Sequence, residues 1–299
     1  MKKTLGFIGL GIMGKPMAKN LLKAGFPLVV FSRSKGPVEE LTQAGATSAN
    51  SPREVAERSG VIITMLPDSP EVVEVILGEN GVSEGVKREA VVIDMSSINP
   101  QVTKGIASTL KEKDVEMLDA PVSGGETGAI QGTLAIMVGG EEKTYRDCLD
   151  ILRALGKNIV HIGGIGSGGY VKLVNQMIVA MNIAAVGEAF TLGVKAGLDP
   201  NLIHEAIRGG LAGSSVLDAK VPMISAGNFK PGFKTRLHQK DLNNALATAR
   251  ELGIPLPLSS LIQQIFVSLL AQGRGEDDHS ALVTFFEKMA GVEIRNPST

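Results

Sequence analysis

Short, almost wholly apolar runs alternate with helical patterns through the first half of the chain. The runs lie at 5–9 (LGFIG), 27–31 (PLVVF), 61–66 (VIITML), 90–95 (AVVIDM), 116–120 (EMLDA), 134–139 (LAIMVG) and 158–163 (NIVHIG). The first four carry scarcely a polar residue, which is how parallel strands read when helices cover both of their faces. Helix starts are legible between them. Ser51-Pro52-Arg53-Glu54 is a capping box with proline at the first helical position, and Ser69-Pro70 repeats the cap-plus-proline start. Gly25 and Gly45 stand where helices should stop. Strands alternating with helices predict a doubly wound α/β domain.

The pattern changes at 163–169 (GGIGSGG), a glycine-rich stretch that suits a domain boundary. A helical pattern without proline then runs from about 169 to 196. At ~1.5 Å per residue it is ~40 Å long, enough to leave one domain and form the spine of another. The segments 200–211, 214–226, 237–253, 257–273 and 278–290 also read as helices, with no strand of any strength among them. The expected organisation is an α/β domain over 1–163, a long inter-domain helix, and an all-α C-terminal domain within 164–299. An active site is expected between the two.

Composition adds little that is unusual. Hydrophobic residues make up 43% and charged residues 20%, with a formal net charge of −1, so nothing points to nucleic acid or an anionic membrane. The one cysteine, Cys148, lies in a helical pattern with Tyr145, Leu149 and Leu152 and reads as core packing. No Cys/His cluster has metal-ligand spacing. The N-terminal apolar run is too short for a secretory signal, and 171–194, the most apolar stretch, is interrupted by Lys172, Asn175, Gln176, Asn182 and Glu188. A soluble, cytoplasmic setting is the expectation.

Chemistry enters with the first strand. Gly9, Gly11 and Gly14 follow it and open a helix within a βαβ unit, with Leu10, Ile12 and Met13 between them. That context makes GxGxxG a dinucleotide-binding fingerprint and the domain Rossmann-type: exposed N–H groups and the helix dipole take the pyrophosphate. The second strand should end in an acid that holds a ribose 2′-hydroxyl. It ends in Ser32-Arg33-Ser34, with Lys35 next. An arginine fork between two hydroxyls suits a 2′-phosphate, which favours NADP, with NAD possible. The other reading is that Arg33 stacks on adenine and serves either cofactor. Met65, Leu66 and Pro67 close the third strand at the carboxyl edge, where cofactor contacts fall; Ser96 and Ser97 end the next, either at the cofactor or as caps before Gln101.

Ser123, Gly124 and Gly125 follow the fifth run. Their hydroxyl and N–H groups would form a nest for a small carboxylate, or a structural turn. Lys172 lies in the first turn of the long helix, opposed by its dipole, with Asn175 and Gln176 on the same face. That is a poor place for a structural lysine and a useful one for a proton donor. Lys240 and Asp241 (HQKDLNNAL) lie either on a solvated helix face or where Asp241 would pair with Lys172.

Taken together, GFIGLGIMGKPMAKNLLKAG, DAPVSGG, the GxxGxGxxxKLxN pattern ending at Asn175, and KDLNNAL resemble the β-hydroxyacid dehydrogenases. The resemblance runs from Leu5 to about Val292. It implies Lys172 as the catalytic residue, Ser123, Gly124 and Gly125 at the substrate carboxylate, Ser97 and Lys240 at the cofactor, Asp241 beside Lys172, and Phe233 near nicotinamide or substrate. It also implies a homodimer or homotetramer and a small semialdehyde or hydroxy-acid substrate. RGGLAGSSVLDAK, NFKPGF and DDHSAL are most similar to the branch that reduces tartronate semialdehyde to D-glycerate. The branches acting on 3-hydroxyisobutyrate, glyoxylate or succinic semialdehyde are the alternatives, and a catalytically silent dinucleotide-binding protein is a further one. Two departures stand out. Many members have Asn-Asn where this chain has Asn175-Gln176, and NAD-using members usually have Asp where Ser32 stands.

Overall fold

A computed structural model describes residues 2–295 and divides into two compact units, after Lys172. The first unit is a nine-stranded sheet with helices on both faces. Its elements begin with β1 (Leu5–Ile8), α1 (Gly14–Lys23), β2 (Leu28–Phe31), α2 (Lys35–Gln43), β3 (Thr47–Ser48) and α3 (Pro52–Glu57). β4 (Val61–Thr64), α4 (Ser69–Leu77), α5 (Val82–Gly85), β5 (Val91–Asp94), α6 (Pro100–Lys111) and β6 (Glu116–Asp119) follow. β7 (Val122–Ser123), α7 (Gly125–Gln131), β8 (Leu134–Gly139), α8 (Glu142–Arg153) and β9 (Gly156–Gly163) complete the unit.

The strand order is β3-β2-β1-β4-β5-β6-β8-β7, parallel from β3 through β6. β8 runs antiparallel to β6 and β7, and β9 returns parallel to β8. Strand residues alternate between two cores, as a period of two requires. Leu5, Phe7, Val61, Ile63 and Leu118 join Met17, Ala18 and Leu21 of α1 and Cys148 of α8 on one face. Ile8, Ile62, Val92 and Met117 join Val55, Val72, Ile76 and Ile106 on the other. The doubly wound reading therefore holds, and Cys148 is buried in the core, where burial pushes its thiol up to about 11.

Local signals hold with shifts. Ser51 Oγ caps α3 by accepting from Glu54 N–H at 3.1 Å, and the Glu54 carboxylate reaches back to Asn50 N–H at 2.8 Å. At α4 the stronger acceptor, the Asp68 carboxylate, takes the cap, and Ser69 Oγ accepts from Asn99 N–H at 3.2 Å. Neither Ser96 nor Ser97 caps α6; Asn99 does. β7 and α7 were not expected from the chain pattern: α7 has seven residues, with glycine at its cap, start, middle and end.

The second unit is helical. It contains most of α9 (Ser167–Lys195), then α10 (Pro200–Ile207), α11 (Ser215–Ser225), α12 (Thr235–Leu252) and α13 (Pro257–Ala271). A 3₁₀ turn (His279–Leu282) leads into α14 (Val283–Ala290). By length and composition alone α9 could cross a bilayer, with an 18-residue window of mean hydropathy 1.7. Its Ala180, Ile183, Val186 and Phe190 instead pack against Leu217, Val221, Phe266 and Leu282 as the spine of the helical core.

Candidate active site

The strand ends form a row. Register sets Phe31, Ile8, Thr64, Asp94 and Asp119 side by side at the carboxyl edge of the parallel strands. Gly9 leaves β1 with φ +97°, and a Cβ there would lie 2.3 Å from Met65 O. A Cβ on Gly14 would lie 1.9 Å from Gly9 O, so only glycine lets α1 start this close to the strand. A Cβ on Gly11 meets nothing within 4 Å; it would project into open space at the mouth of α1. No side chain caps α1, and no hydrogen bond within the described residues engages the N–H groups of Gly11, Ile12 and Met13. This cradle fits a pyrophosphate: free N–H groups at a helix start, and space that a side chain would fill. A cleft of about 570 Å³ adjoins it, lined by Leu10, Gly11, Ile12, Lys15 and Ser34 among others.

Arg33 is exposed beyond β2 and makes no ion pair among the described residues. Ser34 holds the cap position of α2 without using its hydroxyl as a cap, and Ser32 is half-buried. Glu40 accepts from Lys15 at 2.9 Å and from Lys19, and these bonds, that of Lys19 first, pull its carboxyl down to about 2. Met65 and Leu66 are half-buried at the end of β4, with Pro67 exposed. Leu66 N–H donates to Ser96 Oγ at 2.9 Å, and Ser96 N–H to Asp94 Oδ1 at 3.1 Å. Thr64 Oγ donates to the same Asp94 oxygen at 2.8 Å. Ser97 follows, half-buried. Asp94 and Asp119 were not marked as site residues from the sequence; the available signal was an acid at the carboxyl end of each of two neighbouring strands.

Asp119 joins the sheet to the long helix. Its two oxygens accept from Gly166 N–H and Gly169 N–H, each at 2.7 Å, satisfying donors at the start of α9. Burial raises its carboxyl to about 6, above the ordinary 3.8, against the pull of the two glycine N–H groups, with Asp94 adding to the rise. The folded protein therefore binds this proton more tightly than the unfolded chain. The resulting stability is complete below pH 3.8 and is lost as pH rises through about 6. Between pH 5 and pH 7 the wild type should lose about 1 kcal/mol relative to Asp119→Asn, read by urea denaturation at both pH values. Parallel pH dependence of the two proteins would remove this account.

Ser123 ends β7, half-buried. Gly124 and Gly125 follow with φ +135° and +60°, conformations that glycine adopts without strain. Their N–H groups make no hydrogen bond among the described residues, and a Cβ on Gly125 would enter open space. Lys172 is buried on α9 at 7% exposure. One turn further along the helix a chain of contacts begins: Asn175 Nδ2 donates to Gln176 Oε1 at 2.9 Å, and Gln176 Nε2 to Asp241 Oδ2 at 2.5 Å. Lys240 Nζ lies 2.9 Å from Asp241 Oδ1. Phe233, just before α12, is held by Asp278: the carboxylate accepts from Gly232 N–H at 3.0 Å and Phe233 N–H at 3.2 Å. The fold thus brings Asn175, Gln176, Lys240 and Asp241 into one connected group.

Two family profiles cover the chain: the NAD binding domain of 6-phosphogluconate dehydrogenase over 4–163, and the NAD-binding domain of NADP-dependent 3-hydroxyisobutyrate dehydrogenase over 166–286. 2-Hydroxy-3-oxopropionate reductase of Escherichia coli (strain K12) is 47% identical over 291 residues, 97% of this chain and 99% of that one. The chain belongs to the 3-hydroxyisobutyrate dehydrogenase-like β-hydroxyacid dehydrogenase family. 2-(Hydroxymethyl)glutarate dehydrogenase of Eubacterium barkeri is 40% identical, covering 98% of this chain and 99% of that one. Among solved structures, Mycobacterium tuberculosis 3-hydroxyisobutyrate dehydrogenase with L-serine superposes with a TM-score of 0.86 at 32% identity, over 95% of this chain and 99% of that one. This β-hydroxyacid dehydrogenase is accordingly an NAD(P)-dependent enzyme.

Proposed function

We propose that the enzyme reduces tartronate semialdehyde (2-hydroxy-3-oxopropionate) to D-glycerate with NADPH as the preferred reductant. The observation that carries the reading is a buried Lys172 one turn ahead of the Asn175–Gln176–Asp241 chain, in a protein 47% identical to 2-hydroxy-3-oxopropionate reductase of E. coli. When bound, the reduced nicotinamide supplies the hydride. Ser123 Oγ and the N–H groups of Gly124 and Gly125 hold the substrate carboxylate and present the aldehyde in a near-attack pose. As the aldehyde carbon gains hydride, negative charge grows on its oxygen; Lys172 Nζ stabilises that charge and delivers the proton. Asn175, half-exposed, is the amide that orients the substrate, and Gln176, buried between Asn175 and Asp241, braces it together with Asp241. Gly9, Leu10, Gly11, Ile12, Met13 and Gly14 would hold the pyrophosphate, Met65, Leu66, Pro67, Ser97 and Lys240 would contact the cofactor, and Phe233 would serve the nicotinamide or the substrate.

The test is steady-state reduction of tartronate semialdehyde, methylmalonate semialdehyde, succinic semialdehyde and glyoxylate with NADPH and NADH. The expected result is the highest kcat/KM for tartronate semialdehyde with NADPH; a higher value for another aldehyde would overturn the substrate assignment. Exposed leucines on the helical unit (Leu192, Leu202, Leu258 and Leu261) support a homodimer or homotetramer, and a monomer mass by light scattering would refute it. The buried thiol of Cys148 suits a reducing cytoplasm.

A further inference from the structure

We propose that His238 and His279 share a single proton, and that this couple positions the turn of α9 bearing Asn175 and Gln176 and thereby sets substrate affinity. The clause on substrate affinity rests on the function proposed above; the couple itself does not.

Both rings are buried, His238 completely and His279 to 6% exposure. His238 Nε2 lies 3.0 Å from the backbone oxygen of Gln176. A carbonyl oxygen only accepts, so Nε2 carries hydrogen. His238 Nδ1 lies 2.8 Å from His279 Nδ1. Two bare nitrogens would repel at that distance, and two N–H groups have no room, so one proton lies between them. The bond therefore joins His279 Nδ1 and His238 Nδ1, one ring donating and the other accepting.

The couple is anchored at its far end. His279 N–H donates to Phe233 O at 2.9 Å, and the neighbouring Asp278 carboxylate binds Lys220 at 2.8 Å and the N–H groups of Gly232, Phe233 and Ser280. Burial works to raise the Asp278 carboxyl, but the charge of His279 and the Lys220 ammonium hold it well below the usual range. Phe233 stands edge-on to both imidazoles, with centroids at 5.8 and 5.4 Å, and His238 leans on Phe266 of the core at 5.0 Å. The two rings therefore connect a fixed corner of the helical unit to the main chain of Gln176 and to the ring of Phe233. Both are positioning residues, since they act through those neighbours.

His279→Asn keeps a donor bonded to Cγ, where Nδ1 was, and His279→Leu removes it at similar size. Imidazole ¹⁵N spectra of the wild-type protein should show one Nδ1 protonated and one bare; two alike would overturn the couple. His279→Leu should shift the amide signals of Asn175, Gln176 and Met177, and raise KM for the aldehyde about tenfold, the size of one lost hydrogen bond. His279→Asn should restore both. Unshifted amide signals in the leucine variant would refute positioning, and an unchanged KM would refute the link to substrate. If the wild type reduces none of the four aldehydes, the function assignment fails, while the spectra still decide the couple.

Discussion

Lys172→Ala is expected to lower kcat about 100-fold or more, the usual size of a lost general acid, while NADPH affinity stays near the wild-type value. The two effects separate because the glycine loop and most of the other residues proposed to hold the dinucleotide lie at the strand ends, and Lys172 lies on α9 beyond the Asp119 tether. Lys172→Arg distinguishes two ways of losing activity. Arginine keeps the positive charge but does not give up a proton at working pH. If Lys172 served only as a charge, the arginine variant would recover most of the loss. As a proton donor it should leave the arginine variant nearly as slow as the alanine one. Single-turnover hydride transfer, followed by NADPH absorbance, reads the step directly. An alanine variant within about fivefold of wild type would remove Lys172 from the chemistry, given the 10²–10⁴-fold range for such groups.

What could be read from the chain follows from how local each feature is. β1, β4 and β5 are buried along their whole length and announced themselves as apolar runs. The glycine loop was legible because its constraints act within six residues: Gly14 must clear the carbonyl of Gly9. α9 was legible because its pattern continues for 29 residues without proline. The features that escaped depend on long-range pairing. Asp119 reaches its glycine partners 47 and 50 residues away, and His238 and His279 meet across 41. No periodicity reports such contacts; they exist only once the sheet register and the helix packing are in place. The same holds for Asp241. Its motif marked it and its neighbour Lys240, but its partner Gln176, 65 residues away, came from the fold. α7 escaped for another reason: its glycines lower helix propensity, and tertiary packing of Gly128 and Ala129 overrides it.

Arg33→Ala should weaken NADPH binding about 10- to 150-fold, the worth of a charge-assisted hydrogen bond of ~1.5–3 kcal/mol, and change NADH binding by less than about threefold. The surroundings of Arg33 carry the argument. An exposed arginine with no ion pair among the described residues has its fork available, and Ser34 has a hydroxyl that α2 does not use as a cap. α2 carries no acid in its first turn that would repel a phosphate. Glu40, on the same helix, is occupied by Lys15 and Lys19, so its charge is offset within the α1–α2 pair. Ser32→Asp is the reciprocal change. A carboxylate there would accept from a ribose 2′-hydroxyl and repel a 2′-phosphate, so the ratio of NADPH to NADH affinity should fall in that variant as well. Fluorescence titration of both cofactors against both variants decides between the two roles of Arg33. A parallel loss of NADPH and NADH in Arg33→Ala would mean that the guanidinium stacks on adenine, and cofactor choice would then rest on Ser32 alone. A loss confined to NADPH, with Ser32→Asp shifting preference toward NADH, is the outcome that the serine-arginine-serine turn calls for.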